Sequence, residues 1–200
     1  MRLLPTIPLG LPGWRLRAWQ VDDAEDLSRH ANDVEVWRHM SDSFPYPYTL
    51  EIARHWVTRG HVDFGGDNWA IAHNGVAVGG CGIHQDAGGE RASAEIGYWL
   101  GRAFWGQGIG TAVVRQLCDI AFADADVQRL FAPVHADNPK SMHVLRKNGF
   151  CREAELKRSA VKDGRVIDRV QWARLRGPAP AAVHEETLTC NLLASPSPRN

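Results

Sequence analysis

A chain of 200 residues with 44% hydrophobic side chains is long enough for one domain with a real core. Lysine plus arginine and aspartate plus glutamate stand at 23 each, so bulk charge argues against a nucleic-acid binder. No apolar run approaches the about 20 residues that a membrane span requires, and Pro5, Pro8, Gly10, Pro12 and Gly13 break the apolar start, a poor core for a secretory signal.

Residues 1–13 read as a lead-in. From Trp14 to Trp19 the chain alternates and predicts the first strand. Asp22 and Asp23 start a helix whose stripe is Ala24, Leu27, Ala31, Val34 and Val36 or Trp37, with an interruption near Asn32-Asp33. Pro45 and Pro47 forbid a regular helix through Phe44-Pro45-Tyr46-Pro47-Tyr48, a stiff aromatic loop that is either a packed connection or a pocket wall. Thr49 caps the next helix, with Ile52, Ala53, Trp56 and Val57 on its buried face. Asn68–His73 and Val76–His84 form a hairpin across Asn74-Gly75, and Gly88-Gly89 turns the chain towards a third antiparallel strand, Ser93–Leu100.

A glycine-rich stretch, Trp105-Gly106-Gln107-Gly108-Ile109-Gly110-Thr111, follows that strand and opens a helix running to about Ala123. Its buried stripe is Ile109, Val113, Leu117 and Ile120 or Ala121, widened by Val114, Cys118 and Phe122. Glycines there permit a tight turn and close approach of backbone N–H groups to a ligand. The helix adds its unpaired first-turn N–H groups and the positive end of its dipole, a combination suited to phosphate or pyrophosphate. A dinucleotide fingerprint starting at Gly108 would need glycine at Val113, and a Walker loop would need Gly-Lys-Ser/Thr; neither is present.

Gln128–His135 predicts a strand containing Pro133, which cannot donate to a ladder and so suits an opening between strands. Asn138 caps a helix begun by Pro139 and ended by Gly149. Strands Cys151–Arg158 and Arg165–Leu175 flank the Asp163-Gly164 turn. Residues 177–200 are rich in Pro, Ala and Ser and read as a mostly disordered tail with a short apolar island at Thr187–Leu193. Cys81, Cys118, Cys151 and Cys190 form no C-x-x-C pair, which fits a reducing cytoplasm.

The strand Ala94-Glu95-Ile96-Gly97-Tyr98-Trp99-Leu100 followed by Trp105–Thr111 resembles the acetyl-CoA motif of GCN5-related N-acetyltransferases, and its Trp-Gly-x-Gly form resembles the RimJ/RimL-like ribosomal-protein branch. The likeness runs from about Trp14 to Arg176. Many family members carry Gln or Arg where Trp105 stands. The resemblance implies an α/β (α+β) domain over residues 14–176, with a mostly antiparallel sheet splayed at its centre to admit the pantetheine arm and flanked by helices. It implies transfer of acetyl from acetyl-CoA to a primary amine, a protein N-terminus or a small molecule, within a ternary complex. Cofactor contacts then fall on Trp99, Leu100, Trp105, Gly106, Gln107, Gly108, Ile109, Gly110, Thr111, Asn138 and Ser141, with a backbone N–H near Leu100 facing the oxyanion. Arg146 and Lys147 are within reach of the adenosine 3′-phosphate, unless they simply solvate a helix end.

Acyl transfer to an amine requires a base, an oxyanion donor and a donor to the departing thiolate. Glu95 shares a strand face with Gly97 and Trp99, and a partly buried carboxylate there is a candidate base or a structural carboxylate. It also matches the family's general-base glutamate. Asn138 and Ser141 sit at i and i+3 at a helix start, which is sound capping chemistry. In the resembling family such an Asn contacts the cofactor, and Ser141 matches the serine that the RimL-like branch uses near the CoA sulfur. The family's tyrosine acid has no counterpart, since Leu145 occupies its place. Phe44, Tyr46, Tyr48 and His84 are the candidate acceptor-binding residues, and His143 sits on the cofactor helix. The histidines show no metal-binding spacing. A rival reading is a non-catalytic acyl-CoA sensor, which would need the glycine loop but neither Glu95 nor Ser141. A homodimer is one assembly left open.

Overall fold

The computed structural model describes residues 4–85 and 92–177. They build strands β1 (Ile7–Pro8) and β2 (Trp14–Arg17), helices α1 (Ala24–Ala31), α2 (Val34–Trp37), α3 (Leu50–His55) and, after a π-helical turn at Trp56–Gly60, α4 (His61–Asp63). Then follow β3 (Asp67–His73), β4 (Val76–Gln85), β5 (Ser93–Leu100), α5 (Ile109–Ala123), β6 (Arg129–His135), α6 (Pro139–Lys147), β7 (Cys151–Lys162) and β8 (Arg165–Leu175). The strands form one eight-stranded sheet in the order β1-β2-β3-β4-β5-β6-β8-β7. All neighbours are antiparallel except β5 and β6.

Several boundaries differ from the sequence reading. The lead-in contributes an edge strand, with Ile7 opposite Leu16 and Pro8 opposite Arg15; an edge tolerates a proline. The first predicted strand stops at Arg17 instead of Trp19. There Arg17 turns inward to a bidentate, buried pair with Asp23 (2.6 and 2.7 Å) and donates to the Gly75 carbonyl (2.7 Å). Trp19 leaves the sheet for a second core. β7 continues past Arg158 to Lys162 through an irregularity between Leu156 and Ala160. Arg158 takes φ 51° there, and its N–H donates to Asp168 at 2.8 Å. The Gly88-Gly89 turn and the tail beyond Gly177, Cys190 included, lie outside the described residues.

Two cores cover the two sheet faces. On one, α5 and α6 set Val113, Val114, Leu117 and Leu145 against Leu16, Trp69, Ile96 and Leu130. On the other, Ala24, Leu27, Ala53, Val57 and Tyr48 pack with Trp19, Ala70 and Ala77.

The parallel pairing of β5 with β6 lasts only from Ser93–Arg129 to Glu95–Phe131. The reason lies in the backbone. The Arg129 N–H bonds the Ala92 carbonyl, whereas the Ala136 N–H bonds the Asp168 carbonyl of β8. Odd residues of β6 therefore point their backbone groups at β5. Pro133 is the next odd position after Phe131 and has no N–H to give. Towards β8 the ladder is intact to His135–Arg169. Beyond Glu95 and Phe131 the sheet is split. By the same parity, Gly101 donating to Val78 on the β4 side sends the backbone groups of Ile96, Tyr98 and Leu100 into that split.

Candidate active site

Leu100 ends β5 at the mouth of the split, and a 3₁₀ turn (Arg102–Phe104) leads to the glycine loop. Gly106 and Gly108 take φ of 76° and 82°, a region that L side chains rarely adopt. Gly110 does not; it lies inside α5 with ordinary helical backbone. A Cβ there would make ordinary contacts with Val144 at 3.6 Å and Tyr98 at 3.9 Å, so neither the turn nor the packing demands a glycine at this position. Gly108 caps α5 without a side chain, so the first-turn N–H groups face outward uncapped by any side-chain oxygen. A Cβ on Gly106 or Gly108 would meet nothing within 4 Å. Uncapped N–H groups beside this open ground fit a pyrophosphate. The side chains of the loop serve as braces: Trp105 Nε1 donates to the Leu100 carbonyl (2.6 Å), Gln107 Nε2 to the Ala103 carbonyl (3.0 Å), and Lys140 Nζ lies 4.6 Å from the Trp105 ring centre.

On the same side of the sheet, Asn138 Oδ1 accepts the Ser141 N–H at 3.1 Å and caps α6. Asn148 ties α6 to α5 by donating to the carbonyls of Thr111 (3.2 Å) and Val144 (2.9 Å). The Tyr98 hydroxyl lies 2.9 Å from Ser141 Oγ. Burial pushes the Tyr98 phenol up to about 12, against the opposing effect of that hydrogen bond. Arg146 and Lys147 are exposed on the last turn of α6.

Glu95 emerges on the opposite face, level with Phe131 where the ladder ends, and in line with Gly97 and Trp99. Burial raises its carboxyl above the usual range, and the Arg169 guanidinium opposes that rise. His84 lies directly across the β4–β5 ladder from Glu95. Its ring packs against Phe64 (5.0 Å), and burial lowers its pKa against the opposing pull of a hydrogen bond to the Gly65 backbone. Trp99 lies over Gly80, where a Cβ would sit 2.8 Å from the indole nitrogen.

The aromatic loop divides. Phe44 contacts both Trp99 (5.9 Å) and Tyr48 (5.0 Å). Tyr46 is 48% exposed and packs on Trp37 (5.3 Å). Tyr48 is only 4% exposed and belongs to the second core; its N–H donates to Asn32 and its carbonyl accepts from Ser28. The β7–β8 hairpin tip docks beside this loop. Lys162 Nζ donates to the Ser41 carbonyl (3.2 Å) over the Trp37 ring (4.0 Å), and the Asp163 N–H donates to Asp42 Oδ1 (3.0 Å).

Residues 14–151 match the model of the acetyltransferase (GNAT) domain. The chain belongs to the GNAT acetyltransferase family. It is 29% identical over 167 residues to the uncharacterized N-acetyltransferase p20 of Bacillus licheniformis, covering 80% of this chain and 92% of that protein. It is 32% identical over 83 residues to the ribosomal-protein-serine acetyltransferase of Escherichia coli, covering 42% and 46%. The structure of Mycobacterium smegmatis RimJ in complex with CoA-disulfide superposes with a TM-score of 0.73 at 26% identity, covering 87% of each chain.

This GNAT acetyltransferase is an acetyl-CoA-dependent N-acetyltransferase, which displaces the reading as a non-catalytic sensor. Leu145, which stands where many family members carry a tyrosine, is fully buried in the main core and presents no group to a site. Four residues near the candidate groups escaped the sequence reading. Tyr98 was legible as the strand neighbour on the face opposite Glu95. Arg169, His135 and Lys162 carried no local signal. Arg169 joins Glu95 only because β8 inserts between β6 and β7; it donates to Ser159 Oγ and the Ser159 carbonyl. His135 lies beside His39 (6.3 Å), and burial lowers its pKa.

Proposed function

We propose that this acetyltransferase acetylates the N-terminal amine of a protein, by direct transfer within a ternary complex. One observation carries the chemistry: the sheet is split beyond Glu95 and Phe131, with Glu95 on one face and Ser141 on the other. An acetyl thioester lying in the split would then meet a base on one side and a sulfur donor on the other. The likeness to the ribosomal-protein-serine acetyltransferase supports a protein acceptor over a small amine. Three buried free thiols among the described residues, Cys81, Cys118 and Cys151, fit a cytoplasmic location. Among those residues no helix is long and apolar enough to cross a membrane.

In this reading Glu95 accepts the proton of the attacking amine, and its raised pKa makes it a stronger base than an ordinary glutamate. The Leu100 N–H, directed into the split, faces the carbonyl oxygen on which negative charge develops. Ser141 hydrogen-bonds the sulfur as the C–S bond breaks and the electron pair moves onto sulfur. The α5 N-terminus with Gly106, Gln107 and Gly108 holds the pyrophosphate. Phe44, Tyr46 and His84 line the acceptor side, and Trp99, expected from the resemblance to touch the cofactor, stands with them on the Glu95 face against Phe44. Turnover of a free-α-amine peptide by Glu95→Gln tests the reading: a loss of about 10²–10⁴-fold is expected, with acetyl-CoA affinity intact. Near-normal turnover would make Glu95 structural.

A further inference from the structure

Ser141 has two anchors of different kinds. Asn138 fixes its backbone through the cap, at 3.1 Å. Tyr98 reaches its side chain from the other side of the split, at 2.9 Å. Tyr98 belongs to the length of β5 that has lost its β6 partner, whereas Ser141 stands on the helix that follows β6. The contact therefore joins the two walls of the opening.

A serine hydroxyl has one hydrogen and rotates freely unless something claims its oxygen. Tyr98 has two acceptors within reach, Ser141 Oγ at 2.9 Å and the Ser141 carbonyl at 3.3 Å. The carbonyl is the natural acceptor for the Leu145 N–H one turn on in α6. The shorter, less committed acceptor is Oγ. A phenol donating to Oγ leaves the serine hydrogen to point elsewhere.

We propose that Tyr98 is a positioning residue which, by donating to Ser141 Oγ, turns the serine hydrogen towards the departing sulfur. This rests on the reading of Ser141 as the sulfur's donor. No proton leaves Tyr98. The C–S electron pair goes to sulfur, Ser141 shares its hydrogen with that sulfur, the amine proton goes to Glu95, and solvent supplies the proton that completes the thiol. Burial supports a fixed donor, since a phenol at about 12 stays protonated wherever the enzyme works.

The test is a double-mutant cycle in kcat with a free-α-amine peptide, on Tyr98→Phe, Ser141→Ala and the double variant, each checked for folding by thermal melting. One positioning hydrogen bond is worth roughly 0.5–1.5 kcal/mol, so Tyr98→Phe should lower kcat roughly 2- to 12-fold. The KM for acetyl-CoA and both limbs of the pH profile should stay where they are. In the Ser141→Ala background the same change should cost nothing more. An equal loss in both backgrounds, or normal kcat in Tyr98→Phe beside an impaired Ser141→Ala, overturns the inference. Should Tyr98→Phe fail to fold, Tyr98→His, which keeps a ring donor, must retain more kcat than Tyr98→Leu; equal losses overturn it. Normal kcat in Ser141→Ala would instead remove the underlying role of the serine.

Discussion

Arg169 shares a sheet face with Glu95 from two strands away, and its guanidinium opposes the burial that raises the Glu95 carboxyl. The two effects together set where Glu95 ionises. Arg169→Gln should raise that pKa further and move the low-pH limb of kcat to higher pH. Glu95→Gln should abolish the limb. A limb unmoved in Arg169→Gln would show that another group controls it. Stability has the opposite sign. A carboxyl whose folded pKa is raised binds its proton more tightly when folded, so stability is lost as pH rises from the unfolded value through the folded one. Glu95→Gln should therefore leave the protein at least as stable at neutral pH, measured by denaturant midpoint.

Gly108→Val and Gly110→Val should both weaken acetyl-CoA binding, for different reasons. Gly108 sits at φ 82°, where an L side chain costs roughly 1–2 kcal/mol. Gly110 has ordinary backbone and room for a Cβ at 3.6 Å from Val144, but the two methyls of a valine reach further and would crowd the loop's ligand side and Val144. Calorimetry on folded variants should show lower affinity in both, with a lower melting temperature for Gly108→Ala than for Gly110→Ala. Unchanged affinity in both valine variants would remove the pyrophosphate assignment.

The chemistry that acts over a few residues was legible in the sequence. Asn74-Gly75 does turn a hairpin, Thr49 does cap α3, and Asn138-Pro139 does open α6. Pro133 announced an opening, and the backbone parity of β6 shows why it opens towards β5. What stayed hidden depends on pairing across long stretches of chain. No local pattern says that β8 lies between β6 and β7, so Arg169 and Lys162 could not be placed. A two-residue strand such as β1 is too short to show a period. Three alternate glycines look alike in sequence, and only the backbone separates Gly106 and Gly108 from Gly110.

The Arg17–Asp23 pair anchors β2 to the start of α1 and, through Gly75, to the hairpin turn. Asp23→Ala leaves a buried guanidinium without its carboxylate, and the cost should be about 3–5 kcal/mol. Replacing both residues by apolar ones of similar size should cost much less. Chemical denaturation would measure this, and a loss below 1 kcal/mol for Asp23→Ala, the scale of an exposed pair, would contradict it.

Lys162 should matter for the acceptor and not for acetyl-CoA. It clasps the hairpin tip to the Ser41 loop over Trp37, next to Tyr46. Lys162→Met should loosen that loop and raise the acceptor KM several-fold, with the acetyl-CoA dissociation constant unchanged. Equal changes in both would mean that the whole domain has been disturbed.

The acceptor decides the central claim, and thiol release measures it directly. The panel contains a peptide with a free α-amine, the same peptide with a blocked N-terminus and a free lysine, and a set of small primary amines, all with acetyl-CoA. The proposed function predicts rapid release with the free α-amine, little with the blocked peptide, and loss of the fast reaction in Glu95→Gln. Fast release with a small amine and none with the free-α-amine peptide would contradict it.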